Sequence, residues 1–334
     1  MLKLKQFVTA VLLGVAVSLS VPVAQAQTQT LQKVKIRTEW IPNGIYGGLY
    51  YGQQRGLYAK EGMSVDVLPG NGSFATMDGL LRGDIDFGFV TCWSTAVGIS
   101  KGRAVVSVGT YTGKIGFAFY TAKDSGVRSL KDLAGKTIVV SPAGFDTQIF
   151  PAVLASNGLA PDIMKTLNVD PAQKIPTYTR GQADVVVSTY PYADPLIQEQ
   201  RPSNAMLWSA SGFTMPDYCI VTTREKLEKD PQLVARFLRA TYAASADAAK
   251  KPQEAADAAL ELNPLLNRNT TMRQWQLMSE MFYTDETKAC PHGWHSPKDW
   301  SKALETLQKY GGLEGSTADH SKFYTNQFFS CAKS

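Results

Sequence analysis

The chain has 334 residues, 44% of them hydrophobic and 19% charged, with a formal net charge of +5. That balance excludes a disordered chain and fits one large or two moderate domains. The charges are scattered without blocks of like sign, which argues against nucleic acid or a membrane surface as a partner.

Lys3 and Lys5 precede an apolar run from about Phe7 to Val23, and Ala24-Gln25-Ala26 then offers the small-x-small pattern of signal-peptide cleavage. Residues 1–26 are therefore expected to be a cleaved signal peptide, leaving a soluble exported chain that starts near Gln27. Thr9, Ser18 and Ser20 interrupt the run, and it falls short of the roughly 20 apolar residues of a membrane span. Four cysteines would then sit in an oxidising compartment. Cys290 and Cys331, in the polar C-terminal region, form a candidate disulfide. Cys92 and Cys219, in apolar strand-like runs, read as buried thiols.

The mature chain opens on an alternating strand at Val34-Lys35-Ile36-Arg37, followed by Trp40 and a helix from about Tyr46 to Arg55 that stops at Gly56. Val65 to Leu68 is the next strand. The loop Pro69 to Ser73 places Ser73 to cap a helix from Phe74 to Arg82, and Asp86 to Val90 is a third strand. Strand alternating with helix at this pace predicts parallel βαβ units. A second such series begins at Lys136 to Val140, with a helix from Asp146 to Asn157 and a broken one after Asp170-Pro171, where Pro176 spoils a regular turn. Arg82-Gly83-x-x-Asp86 and Arg180-Gly181-x-x-Asp184, each followed by an apolar run, read as equivalent helix ends feeding buried strands of two related lobes. The C-terminal part reads as helices at Arg224 to Asp230, Pro231 to Lys250, from Pro252, Met272 to Tyr283 and Lys298 to Tyr310.

Lobe boundaries are expected near Thr112-Gly113 and Thr214-Pro216, which makes residues 27–112 plus 216–334 one lobe and 113–215 a second lobe inserted into it. Two crossings between lobes make a hinge. In open parallel sheets ligands bind at the carboxyl ends of the strands. The expected ligand contacts there are Trp40, Asn43, Tyr46, Asn71, Ser73, Thr91, Trp93, Tyr111, Ser141, Phe145, Tyr190 and, beside the hinge, Asp217. Trp40 and Trp93 suit a flat ring held by offset stacking, while hydroxyls and amides orient it. Helix starts at Ser73 and near Phe145 offer N–H groups to an anionic solute, although Asp146 would compete at the second. No nucleophile elbow, phosphate loop or dinucleotide fingerprint appears. His292 and His295 have a spacing compatible with metal, but no third ligand accompanies them and no metal or other cofactor is expected.

Trp-x-Pro-Asn (40–43), Gly-Leu-Tyr-Ala-Lys-Glu-Gly (56–62), Gly-x-Gly-Ser (70–73), Leu-x-x-Gly-Asp-Ile-Asp-Phe-Gly (80–88), Ser-Leu-Lys-Asp-Leu-Ala-Gly-Lys (129–136) and Gly-Gln-Ala-Asp (181–184) occur in this order. Together they resemble the periplasmic solute-binding proteins of ABC importers, in the branch that handles thiamine pyrimidine precursors, alkanesulfonates, taurine and nitrate. The resemblance implies a type II-like fold of two α/β lobes, each a mostly parallel sheet flanked by helices. It also implies a small-molecule solute in the cleft, a membrane permease as partner, a monomer and no catalysis. Gly-Trp-His-Ser-Pro-Lys-Asp-Trp (293–300) leans towards the pyrimidine-precursor members. A related group synthesises the thiamine pyrimidine from its own histidine, with iron near a cysteine-rich motif. This chain lacks that motif, so synthesis stands as the alternative, beside a sensor role.

Overall fold

The computed structural model describes residues 30–332, Ala143 excepted, so the expected signal peptide lies outside the described residues. Ten strands form two five-stranded sheets. The first holds β1 (Gln32–Arg37), β2 (Met63–Leu68), β3 (Phe87–Thr91), β4 (Val105–Thr110) and β10 (Tyr218–Thr223) in the order β2-β1-β3-β10-β4. The second holds β5 (Phe117–Ala122), β6 (Thr137–Val140), β7 (Lys165–Asn168), β8 (Val185–Thr189) and β9 (Ser203–Leu207) in the order β7-β6-β8-β5-β9. In each sheet four strands run one way. The fifth, β10 in the first and β5 in the second, is antiparallel to both its neighbours. The lobes therefore share one topology, and in each the reversed strand is one that has just crossed from the other sheet. The crossings occupy residues 111–116 and 208–217.

The paired Arg-Gly-x-x-Asp segments do the same work in both lobes. Asp86 accepts the Lys35 N–H of β1 at 2.8 Å and Asp184 accepts the Thr137 N–H of β6 at 2.8 Å. Their own N–H groups return to the same two residues at 2.9 Å. Gly83 and Gly181 take φ of 77° and 76°, the left-handed turn that lets the chain leave a helix and enter the strand.

The Gly47–Gln54 helix explains why its sequence alternates glycine with tyrosine. It lies against the long Pro231–Lys250 and Arg268–Ser279 helices, and a Cβ on Gly48 would come within 2.5 Å of Ser245 Oγ and 2.6 Å of the Tyr111 hydroxyl. Glycine there admits a close helix crossing, while Tyr50, Tyr51 and Leu49 fill the space around it. Gly48→Val should lower stability by about 2 kcal/mol through overpacking. Urea denaturation checks this, and an unchanged midpoint would show that the crossing has slack.

Several elements differ from the sequence reading. The helix expected from Phe74 starts at Ser73 with Gly72 as its N-cap, so the Ser73 hydroxyl is not a cap and turns to Glu39 and Thr91. The helix expected from Met272 starts at Arg268, because Asn267 accepts the Thr270 N–H and caps it a turn earlier. The segment after Asp170 is broken as expected, into a single turn at Pro171–Gln173 and a short helix at Lys174–Thr179. Cys92 and Cys219 are not thiols. They form a disulfide, as do Cys290 and Cys331. Antiparallel pairing of β10 with β3 sets Cys219 opposite Val90 and Tyr218 opposite Thr91, which carries the two sulfurs together across 127 residues. No local pattern reports such a pairing.

Candidate functional site

The strand ends expected to carry the site converge where the two sheets meet. At the exit of β1, Thr38 donates its hydroxyl to the carbonyl of Trp40 at 2.8 Å, and the Asn43 side chain accepts the Ile45 N–H at 2.9 Å to start a single helical turn. The loop after β2 folds over this exit, with the Gly72 N–H on the Glu39 carbonyl at 2.6 Å and the Gly70 N–H on the Trp40 carbonyl at 3.1 Å. The result presents the Glu39 side chain, half-buried, to the Ser73 hydroxyl at 3.3 Å and to the hydroxyl of Tyr218. Ser73 in turn accepts the Thr91 N–H at 3.2 Å, tying the ends of β1 and β3 to one helix start.

Three contacts link the lobes at this level. The hydroxyls of Tyr218 and Thr189 lie 3.5 Å apart, the indole of Trp40 bonds the Tyr192 hydroxyl, and Gln274 donates to the Tyr192 carbonyl at 2.8 Å while accepting the Gly44 N–H at 2.8 Å. Asp217 sits in the second crossing. It is 4% exposed, its carbonyl accepts the Cys92 N–H at 2.7 Å, and its carboxylate accepts the Gly116 N–H of the first crossing at 3.0 Å. Asp146, at the start of the Phe145–Ser156 helix, accepts the Thr147 N–H at 2.8 Å and forms a buried ion pair with Lys174.

Electrostatically the junction is acidic. Burial raises Glu39 to about 7, with Asp146 adding like-charge repulsion against the hydrogen bonds of Tyr218 and Ser73. Burial raises Asp217 to about 8, opposed by the Gly116 N–H and helped by Glu39. Taking an anion out of water favours its neutral form, and neighbouring carboxylates add to that preference.

The residues singled out from sequence divide into groups. Trp40, Ser73, Thr91 and Asp217 stand in or beside the network just described, and Tyr190 opens the Tyr190–Gln200 helix, half-buried, two residues before Tyr192. Asn43 serves the turn. Tyr46 and Tyr111 are sealed in the interior, the Tyr46 hydroxyl accepting the Trp40 N–H at 2.9 Å and that of Tyr111 lying 2.8 Å from Ser245 Oγ. Trp93 packs edge-on to Phe74 in the apolar cluster that runs between the sheets, whereas Trp40 lies at the margin of the cluster on the other face of the first sheet. Asn71 is exposed in its loop, Ser141 is buried with its carbonyl on the Gly144 N–H, and Phe145 begins its helix. Sequence reading passed over Glu39, Lys174, Tyr192 and Tyr218. Glu39 had a visible signal, an acid at the exit of an apolar strand beside Trp40; Lys174 had none, because its partner is 28 residues away.

The C-terminal histidines do not reach this junction. His295 is fully buried, within hydrogen-bond distance of Ser107 at 2.7 Å and Asn326 at 3.1 Å, a Ser-His-Asn alignment sealed from any substrate. His292 holds the Tyr111 carbonyl at 2.7 Å. Among the described residues no group of three or more His, Cys, Asp or Glu side chains could hold a metal ion, and no helix is long and apolar enough to cross a membrane.

The family model described as "NMT1/THI5 like" matches residues 43–255, more than half of the sequence. The chain belongs to the NMT1/THI5-like family. Within reach of it is the riboflavin-binding protein RibY of Chloroflexus aurantiacus, 24% identical over 90% of this chain and 86% of that protein. The 4-amino-5-hydroxymethyl-2-methylpyrimidine phosphate synthase of Legionella pneumophila is 24% identical over 89% of this chain and 92% of its own. Among solved structures, the periplasmic aliphatic sulphonate binding protein SsuA from Escherichia coli superposes with a TM-score of 0.71 at 13% identity, covering 88% of this chain and 92% of that one. The fold is that of the periplasmic binding proteins, as the two equivalent sheets and their double crossing require. In this family member the strand ends meet at the acidic junction around Glu39 and Asp217.

Proposed function

We propose that the protein is an exported solute-binding protein whose lobes, 27–112 with 216–334 and 113–215, close over a small planar organic solute and deliver it to the permease of an ABC importer. The observation that carries this reading is the set of polar links between lobes at the strand ends, through Tyr218 to Thr189 and Trp40 to Tyr192. Such links break and re-form when two lobes turn about a double hinge, and a solute that touches both sides shifts that equilibrium toward the closed form. Two disulfides support an oxidising compartment, in keeping with removal of residues 1–26. Contacts with the solute are assigned to Trp40, Ser73, Thr91, Tyr190 and Asp217 of the sequence-derived set, joined by Glu39 and Tyr192.

Native mass spectrometry of the freshly purified protein should show a retained small molecule, and small-angle scattering should show contraction when it is added back to stripped protein. Trp40→Ala removes a ring face and the bond to Tyr192, and should weaken that binding by roughly 30-fold with an unchanged circular-dichroism spectrum. Unchanged affinity would take Trp40 out of the site.

The second reading, synthesis of a thiamine pyrimidine, is favoured by the length over which the Legionella synthase matches. Against it, His295 is fully buried and the half-buried His292 is held on the Tyr111 carbonyl, both in the C-terminal part, and all four cysteines are bridged. A retained molecule returned chemically intact after long incubation is the expected outcome; a converted product would favour the synthase.

A further inference from the structure

The proposed solute site holds three carboxylates and a single ion pair, and this balance bears on what it can receive. Lys174 is committed to Asp146, with the two side chains 10% and 9% exposed. A buried pair of this kind is close to neutral from outside, so Asp146 offers little charge to a ligand. Glu39 and Asp217 have no such partner. Glu39 is bonded by two neutral hydroxyls, those of Ser73 and Tyr218. Asp217, at 4% exposure, receives one hydrogen bond, from Gly116 to Oδ2, and among the described residues nothing bonds Oδ1. The charge that acts between the two is negative, Glu39 raising Asp217.

A largely buried carboxylate with one oxygen left open to a donor favours a ligand that supplies one. A sulfonate, nitrate or carboxylate brings only acceptors and negative charge, which would add repulsion. A planar cation with several N–H groups meets the fork of a carboxylate with two parallel charge-assisted bonds. The half-buried rings of Trp40 and Tyr192 beside Glu39 supply the negative faces that such a cation also favours.

Resting on the solute-binding reading above, we propose that the solute is an organic cation rich in N–H donors, an amidinium, guanidinium or protonated amino-heterocycle, held by Glu39 and Asp217. The upward shift of both acids fits this, since they give up their protons when the cation arrives and binding then releases protons.

The test uses the full mature chain, stripped of retained ligand by unfolding and refolding with its disulfides intact. Thermal shift and calorimetry at pH 7.5 compare three cations (benzamidine, 4-aminopyridine and agmatine) with three anions (taurine, benzoate and nitrate). At least one cation should stabilise the protein and no anion should. Glu39→Gln and Asp217→Asn should each weaken the cation by roughly 30-fold or more, the loss expected when one member of a buried charge pair is removed. Circular dichroism confirms that the variants fold, and if one does not, the other carries the comparison. Stabilisation by an anion alone, or by none of the six, overturns the proposal. Scattering separates the two levels. Contraction with an anion leaves the solute-binding reading standing without the cation preference, whereas no contraction with any compound and no retained molecule removes both.

Discussion

Replacing Cys92 and Cys219 together with alanine is expected to lower the free energy of unfolding by about 4 kcal/mol, and to do so without altering the secondary structure of the folded protein. The bridge closes a loop of 127 residues that contains β4, both crossings and the entire second sheet. Opening it returns conformational freedom to a long stretch of the unfolded chain, which is where a cross-link of this span acts. Its position adds a local effect. Cys92 follows Thr91 and donates its N–H to the Asp217 carbonyl, and Cys219 follows Tyr218, so the bridge pins the end of β3 to the strand returning from the second crossing. Chemical denaturation of the double variant beside the native protein measures the loss. Thiol labelling of the unfolded, unreduced protein should find no free cysteine. Equal stabilities, or two reactive thiols, would contradict the bridge.

The ligand-free protein should lose stability as pH rises from about 6.5 to 8, an unusual direction for a protein with exported relatives. Unfolded, Glu39 and Asp217 ionise near 4, whereas folded they hold their protons to about 7 and 8. Their contribution is full at low pH and declines as pH climbs through the folded values. The two C-terminal histidines act oppositely. Burial lowers His292 to about 4 and His295 to about 3, so the stability they confer is complete above 6.5 and fades as pH falls toward those values. Two groups of each kind offset one another between about 4 and 6.5, leaving a plateau, and above 6.5 only the carboxylates still titrate. The fall from 6.5 to 8 should be roughly 2 kcal/mol. Melting temperatures across this range should decline in the native protein, decline less in Glu39→Gln and flatten when Glu39→Gln is combined with Asp217→Asn. Saturating solute should restore them at pH 8, because a bound cation makes ionised carboxylates welcome. A melting temperature that rises steadily from 6.5 to 8 would contradict the upward shift of both acids.

These two expectations rest on features of different legibility. Much of the strand and helix order could be read along the chain where its signals are local, whereas strands such as β5, β7 and β9 carried none that was read. Asp170-Pro171 starts a turn, Gly83 and Gly181 release helices into strands, and the apolar runs that follow have the length of buried strands. The repeated Arg-Gly-x-x-Asp could be read as a sign of two equivalent lobes, and Asp86 and Asp184 do bond their neighbouring strands in the same way. The candidate site was legible only as a neighbourhood. The turn at Trp40 was marked, yet of its aromatic residues Tyr46 turns into the core and Trp40 stays at the margin, a difference set by the packing of the Gly47–Gln54 helix against the C-terminal helices.

What the sequence by itself determined is about half of the strands, most of the helices and their duplication, since capping, glycine turns and apolar periodicity act over a few residues. The tertiary structure alone decided which distant groups share a space. β10 returns antiparallel between β3 and β4 and brings Cys219 to Cys92, Tyr218 to Glu39 and Asp217 to the first crossing. That placement depends on the register of a strand more than a hundred residues from its partners, and a period of two along either strand carries no information about which strand will lie beside it.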